Sequence, residues 1–427
     1  MSNILAKLIY LAGIFMVNPL IYRHRLQLRA TEFYSDEKLD QLQLRKLKLL
    51  LRHAKSYSPY YRDILAGIDI ENITLKDMSM IPLLTKEALR DRDEHIYTRK
   101  FSFSKLIKSE TSGSTGDAFV FYRNKSWDAA HRAAIWRGIN QHGVKPWDHN
   151  LYLWGFVFDR KSKFKIRILD FLQNRFRIFQ INTDELIKNL PKIRKVKFIS
   201  GYSSVINSLV GLLDKSQLRI PSLKMIKGTS EKIYPSYQKR AKRILGLPIV
   251  SEYGAAETGI ISFTCPSGIN HTVRENVIVE SVDGRAVVTN LESFSMPIIR
   301  LDLGDYIDLD RVSCDCGRHS QVINDVMGRV GEAIYGRENQ YPSLSLYYIF
   351  KDLALIHNTT LSYQGVQNRK GKLVLLIFDE PSSFDAKVIQ DVANKYLPDV
   401  DVEVCLGDYE ARHAKLKDFV SNVISDS

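Results

Sequence analysis

Between Leu151 and Ser251 the chain alternates short apolar runs with longer, more polar stretches, and this alternation constrains its fold more than any other feature. The apolar runs stand at Leu151 to Phe158, Phe198 to Tyr202, Lys224 to Lys227 just before Gly228, and Pro248 to Ser251. Between them lie a basic, helix-like stretch and a helix predicted from Pro235 to Ile244. Strands separated by helices of about 10–15 residues build a largely parallel sheet, so the fold class is α/β. From Glu275 the pattern changes to short alternating strands, Val277 to Glu280 and Ala286 to Thr289, which read as an antiparallel subdomain. From about Gly331 strand, helix and strand follow one another at Leu373 to Phe378, Asp385 to Tyr396 and Val402 to Cys405, a separate small α+β domain in which Cys405 reads as core. Upstream, Asp36 to Ala66 has leucines at helical spacing with a break at Ser58-Pro59, and Thr85 reads as the N-cap of another helix. The expected division is an apolar and basic segment over 1–35, a large domain over 36–328, and a small domain over 329–427.

A chain of 427 residues exceeds one compact core. Its 44% hydrophobic and 26% charged residues are those of an ordinary globular protein. The net charge of +13 favours an anionic partner (a nucleotide, an acidic glycan or a membrane surface), with a solvated basic face as the plainer alternative. No nucleic-acid-binding module is present, so nucleic acid is not an expected partner. Four cysteines are too few for a disulfide scaffold, and no cleavable signal is evident, which points to the cytoplasm. Residues Ile4 to Tyr22 are strongly apolar, but only Leu8 to Val17 is uninterrupted, short of the roughly 20 residues of a spanning helix. The basic run Arg23 to Arg29 follows, so the segment reads either as a helix docked on the protein's own core or as one lying on an anionic membrane face.

Three constellations carry chemistry. In Ser109 to Gly116 seven of eight residues are Ser, Thr or Gly. Small residues let backbone amides converge on an anion and the hydroxyls add donors, although read alone the stretch is better taken as a flexible turn. It is not a Walker A loop, since no Gly-Lys-Ser/Thr closes it and a strand follows. In Ser251-Glu252-Tyr253-Gly254-Ala255-Ala256-Glu257-Thr258-Gly259, Tyr253 offers a flat face for a purine, Gly254 a close backbone approach, and Glu257 a hard oxygen ligand for Mg²⁺. In Arg300-Leu301-Asp302-Leu303-Gly304-Asp305 the alternation is that of a half-buried strand, and Asp305 is the residue placed to bind hydroxyls. A fourth set, Cys265, His271, Cys314 and Cys316, has the donor types of a closed structural zinc site, with separate cysteines as the alternative.

In this order the first three motifs resemble the adenylate-forming superfamily, most closely the phenylacetate–CoA ligase family and its capsule- and surface-polysaccharide branch. The matching residues are Thr111 to Gly116, Tyr253 to Glu257, Arg300 to Asp305 and the Gly328-Arg329 pair, and the likeness runs from about residue 40 to the C-terminus. The resemblance implies an ATP- and acid-binding domain, a mobile C-terminal lid, and conversion of a carboxylic acid to its acyl-AMP. It implies that Thr111, Ser112, Gly113, Ser114, Thr115 and Gly116 hold the β- and γ-phosphates. Gly228, Thr229, Ser230 and Glu231 would lie beside the adenine, with Glu252, Tyr253 and Gly254 completing the nucleotide site. Glu257 would ligate Mg²⁺, Asp305 would take the ribose hydroxyls, and Arg329 would reach ribose or phosphate. Ala414-Lys415-Leu416-Lys417 resembles the family's end motif, which makes Lys415 the candidate catalytic lysine. Some members of the family also carry Cys/His sets, which adds to the zinc reading.

The chain departs from the family pattern in places. Ala256 stands where a hydroxyl residue is usual, Val330-Gly331-Glu332 replaces paired aspartates at the hinge, and Ile334 to Asn339 is altered and shorter. In CoA ligases that region completes the thioester-forming site, so the expected acceptor is an amine or hydroxyl of a surface-polysaccharide sugar, with CoA as the alternative. A catalytically inactive binding homologue is a third reading, opposed by the intact Glu257, Asp305 and Arg329. Trp154, Phe156, Phe158 and Tyr202 could line an acid pocket or simply pack a core.

Overall fold

Ser35 starts the longest helix of the chain because its side chain caps the amide of Lys38 while Asp36 and Glu37 place negative charge in the first turn. This is α3, Asp36–Tyr57; it follows α1, Asn3–Val17, and α2, Leu20–Ala30. Helix α3 buries Leu39, Leu42, Gln43, Leu47, Leu50, Leu51 and Ala54 along one stripe. It ends where Ser58 turns extended, and Pro59 then opens a six-residue helix capped by Ser58. The architecture comes from a computed structural model that describes residues 3–91, 93–111, 119–153, 160–178, 183–329, 333–407 and 418–423.

The chain forms two compact units. One comprises Ser2–Pro146 and Glu252–Asp325; the other comprises Met1, Trp147–Ser251 and Val326–Ser427. In the second unit the expected parallel sheet is present. Arg175–Arg177, Asn150–Leu153, Phe198–Tyr202 and Met225–Thr229 lie side by side in that order, all parallel. Helices Ser203–Lys215 and Pro235–Leu245 bury Ile206, Leu209, Val210, Leu213, Tyr237 and Ala241 in one core with the strand residues Ile199 and Ile226. The same unit holds a four-stranded sheet in the order Asp401–Leu406, Lys372–Ile377, Tyr363–Arg369 and Phe419–Ser421, covered by Leu344–Ile356 and Ala386–Tyr396. Tyr234 joins the two parts by donating to Tyr363 O at 3.1 Å and Asp418 Oδ1 at 2.9 Å. Cys405 departs from its expected core position: it is half-buried, and its thiol lies 3.6 Å from Glu403 Oε1. The strand that carries it buries only Val402 fully, with Val404 partly buried against the same core.

The first unit carries the antiparallel strands Asn270–Thr272, Val277–Val282, Arg285–Asn290, Leu301–Ser313 and His319–Arg329. Helices α2, α3 and Lys125–Gln141 attach to them through buried charge. Glu275 accepts Arg137 Nη1 at 2.5 Å, Arg137 Nη2 at 3.2 Å and the Thr31 hydroxyl at 2.8 Å. Burial pushes the Glu275 carboxyl up, but Arg137 and these hydrogen bonds more than reverse that, so it is held below the usual carboxylate range. Next to it, Arg274 is 2% exposed and reaches Asp36, Asp40 and Gln43 of α3. Gln43 closes the set by donating to Val277 O at 2.7 Å.

Removing one member of a buried pair leaves the other charge without compensation. Arg137→Met is therefore expected to destabilise the protein by roughly 3–5 kcal/mol in urea unfolding. Arg137→Met with Glu275→Gln should recover part of that loss, since the stranded charge is gone.

Candidate functional site

Ile107–Glu110 and Val120–Arg123 pair antiparallel. Thr111 closes this pair twice: its amide donates to Phe119 O at 2.9 Å, and its hydroxyl accepts the Phe119 amide at 3.0 Å. Ser112, Gly113, Ser114, Thr115 and Gly116 lie outside the described residues, as do Lys415, Trp154, Phe156 and Phe158.

The Tyr253 motif sits on a strand rather than beyond one. Ile249–Ala255 runs on through Glu252, Tyr253 and Gly254 and pairs antiparallel with Gly259–Thr264. Gly254 is required there by proximity: a Cβ on it would overlap the carbonyl oxygen of Gly259 and lie 3.1 Å from Ile260 Cα. Glu252 and Glu257 are both buried, and Asn290 Nδ2 fixes the Glu257 carbonyl at 3.4 Å. Among the described residues no cation is paired with the Glu257 carboxylate.

The third motif splits into a strut and a re-aimed carboxylate. Arg300 is 5% exposed and is spent on structure: its guanidinium pairs with Glu280 at 3.0 Å and donates to Ile81 O. Two residues further on, Asp302 Oδ1 accepts the amide of Gly304, whose φ of +68° suits a residue without a Cβ. The pairing of Arg285–Asn290 with Leu301–Ser313 shifts register between Val287↔Asp302 and Arg285↔Tyr306, so this stretch is a bulge. A bulge re-aims the side chain beside it. Here that side chain is Asp305, and Tyr253 donates its hydroxyl to Asp305 Oδ2 at 2.9 Å across 52 positions of sequence. Two residues singled out from separate motifs are thus in contact.

In the other unit, Gly228 and Thr229 end the strand Met225–Thr229, two residues beyond its expected stop, and Ser230 takes a φ of +66° to turn the chain. Ser203 Oγ holds the turn by donating to Glu231 O at 3.3 Å. Half-buried Tyr202 sits beside it, its hydroxyl pKa raised by burial and then by Glu231. Arg329 ends the strand His319–Arg329.

The cysteines and histidine also converge. One donor atom from each of Cys265, His271, Cys314 and Cys316 lies within 4.8 Å of all the others, a set able to hold a metal ion. Cys265 Sγ and Cys314 Sγ are 3.7 Å apart, and Cys316 Sγ and His271 Nε2 are 3.4 Å apart. Backbone turns present them, with Gly268 N on Cys265 O and Gly317 N on Cys314 O, each at 2.9 Å. Burial, then Arg318 and Arg137, pushes His271 down to about 4, leaving a neutral imidazole with a lone pair for a metal. Burial pushes the Cys314 thiol up to about 11; at Cys316 burial acts the same way but is outweighed by hydrogen bonds and charge from Arg318.

His131 has no sequence signature that would single it out. It is half-buried on helix Lys125–Gln141, and its ring would lie 3.5 Å from a Cβ on Gly259, directly behind the Glu257–Gly259 turn. Burial and then Arg123 push it down to about 4, so it is a neutral floor for that turn.

No family model matches the chain. Protein CapK from Staphylococcus aureus is 21% identical over 356 residues, covering 79% of this chain and 78% of CapK. Among solved structures, 2-hydroxyisobutyryl-CoA ligase in the postadenylation state with 2-HIB-AMP is similar at a TM-score of 0.70 and 18% identity, covering 91% of both chains. The same enzyme with 2-HIB-AMP and CoA in the thioesterification state matches at a TM-score of 0.60 and 18% identity, again over 91% of both chains. The chain has the adenylate-forming ligase fold. Within that fold, Tyr253, Glu257 and Asp305 occupy one unit, and Gly228 to Glu231 with Arg329 occupy the other.

Gly254→Ala tests the close strand approach. The added methyl collides with backbone rather than a flexible side chain, so a loss of about 1–3 kcal/mol is expected. Thermal unfolding with and without ATP checks it, and the shift on adding ATP should shrink in the variant.

Proposed function

We propose that the protein is an ATP-dependent ligase that converts a carboxylic acid to its acyl-AMP and passes the acyl group to an amine or hydroxyl of a surface-polysaccharide sugar. The hydrogen bond between Tyr253 and Asp305 carries this reading, because it joins two motifs that the sequence assigns to one nucleotide. In the first half-reaction a carboxylate oxygen attacks the α-phosphorus of ATP, a P–O bond forms, and pyrophosphate leaves. In the second, the acceptor adds to the acyl carbon and AMP leaves. The protein's task is to align the two reactants and to balance phosphate charge.

The roles follow the chemistry of each side chain. Thr111 to Gly116 present amides and hydroxyls to the β- and γ-phosphates. Tyr253 and Gly254 flank the adenine with Gly228, Thr229, Ser230 and Glu231, and Glu252 lies on the same strand as Tyr253. Asp305 accepts the ribose hydroxyls, and Arg329 neutralises ribose-phosphate charge. Glu257 is the ligand for Mg²⁺, which would supply positive charge to the phosphates. Lys415 would enter for adenylation from the C-terminal module 329–427, acting as a lid.

The acceptor assignment draws on the hinge. The amides of Glu338 and Asn339 donate to Asp399 Oδ2 at 2.8 and 2.9 Å, so neither is available to an incoming CoA. The second reading, a CoA thioester, draws on the similarity to a CoA ligase. We place the enzyme in the cytoplasm at the inner face of an anionic membrane.

Zinc is the metal proposed for the cysteine–histidine set. A tetrahedron with Zn–S bonds of about 2.3 Å has S···S edges of about 3.8 Å. The 3.7 Å separation of Cys265 and Cys314 fits that edge and is far too long for a disulfide. With four protein donors the site is closed, and the metal would serve stability rather than catalysis.

Two outcomes are expected. ATP–pyrophosphate exchange should depend on an added carboxylic acid and fall by at least about a hundredfold in Glu257→Ala. Absence of exchange across amino, aryl and fatty acids would overturn the enzyme reading, and efficient acyl-CoA formation would move the acceptor to CoA. Separately, stoichiometric zinc should be found by metal analysis, and chelation or Cys314→Ser should lower the melting temperature by a few degrees, about 1 °C per kcal/mol for a chain of 427 residues. A protein without zinc and insensitive to chelation would overturn the metal assignment.

A further inference from the structure

Helix α1 is the most apolar helix of the chain, yet only Ala6 and Ile14 are buried among its 15 residues. Ile4 is 75% exposed, Leu8 59%, Phe15 67%, Met16 78% and Val17 63%, so the apolar side chains that should seek a core face outward. A contiguous apolar surface of this kind marks an interaction site. Ile4, Leu8 and Phe15 share one face at spacings of four and eleven positions, opposite the stripe Ala6, Tyr10 and Ile14 that meets the protein.

The helix is held in this pose at both ends of its buried stripe. Tyr10 packs edge-on against Trp136 with centroids 5.9 Å apart. At the elbow, Asn18 is fully buried and donates to Lys125 O at 2.8 Å and Asp128 Oδ2 at 3.2 Å. Tyr22 reaches back from α2 to Leu11 O at 2.9 Å, and the two helices meet at 109°. The apolar face is therefore displayed by a fixed bracket, with α2 packed on helix Lys125–Gln141.

Charge identifies the partner. No acidic residue precedes Glu32, whereas Lys7, Arg23, Arg25 and Arg29 all fall within the first 30 positions. Lys7, Arg23 and Arg29 are exposed, as is Leu26 at 61% on the same helix. No single helix is long and apolar enough to cross a bilayer; fifteen residues span about 22 Å against a hydrocarbon core of about 30 Å.

We infer that α1 and the exposed face of α2 form a monotopic docking surface for an anionic lipid bilayer. The apolar face of α1 enters the headgroup–acyl boundary while Arg23 and Arg29 meet lipid phosphates. This refines the membrane placement proposed above, yet it does not depend on the acyl-transfer chemistry.

The test is co-sedimentation of the full-length protein with phosphatidylcholine vesicles, with and without about one-third phosphatidylglycerol. Expected are binding to the anionic vesicles, at least about tenfold weaker binding to the neutral ones, and a steep loss with added salt. The double variant Phe15→Asp, Met16→Asp should weaken binding about a hundredfold while its melting temperature and pyrophosphate exchange stay those of the parent, because both side chains are exposed. Equal binding to both vesicles, no binding, or unchanged binding by the variant would overturn the proposal. So would a dimer in sedimentation velocity that the same variant dissociates without any vesicle binding, which would make this face a contact between copies. Failure of pyrophosphate exchange in the parent would count against the ligase reading alone, since vesicle binding is read independently.

Discussion

The first unit depends on two opposite charges placed side by side in the sequence and buried together. Arg274 and Glu275 point to different partners: Arg274 to Asp36, Asp40 and Gln43 of α3, Glu275 to Arg137 and Thr31. Burying an ion costs several kcal/mol unless its hydrogen-bonding groups are met, so these contacts tolerate little displacement. Three helices are thereby fixed to one turn of chain. Apolar packing alone would allow α3 to slide along its leucine stripe, and the Arg274 fork fixes its register. That turn begins three residues after His271, so the metal-type donor set and the charge cluster restrain the same few residues from both sides.

A second constraint is local and aims the chemistry. In Arg300 to Asp305 the arginine is consumed as a buried strut, and the glycine takes a left-handed conformation that breaks strand register. The bulge is what turns Asp305 toward Tyr253. Seen this way, the motif's spacing is mechanical: one residue holds, one bends and one is aimed. A substitution at Arg300 would act through position, whereas one at Asp305 would act through contact.

Much of this was legible in sequence, and the misses have physical reasons. The parallel strands and the helix from Pro235 followed from apolar periodicity, which reports burial on both faces of a sheet. Strand ends were less legible: Met225–Thr229 and Ile249–Ala255 both run into residues read as loop, since Gly228 and Gly254 are poor strand markers but are held by their neighbours. The convergence of Cys265, His271, Cys314 and Cys316 was readable because few side chains share that chemistry. His131, Arg274 and Glu275 were not, because a lone histidine or an adjacent ion pair has no periodicity and its role exists only in three dimensions. The N-terminal apolar segment was read with two alternative partners; α2 packs inward, and α1 packs along one stripe and leaves its other face exposed.

The strand Gly259–Thr264 links the metal-type set to the turn that carries Glu257. It starts two residues after Glu257 and ends one before Cys265, six residues or about 20 Å of extended chain. Helix Lys125–Gln141 lies along it and touches it twice, with His131 against Gly259 at one end and Gly138 against the Phe263 ring at the other. A side chain on Gly138 would overlap that ring, so the helix approaches as closely as backbone allows. Phe263 also pairs with His271 on the neighbouring strand, which ties the far end to the donor set. The strand is thus pinned at Cys265 and supported at two points, leaving the Glu257 turn as its one projecting end. The Cys265 end and the turn that carries Glu257 are in this way the two ends of one strand, supported along its length by the same helix.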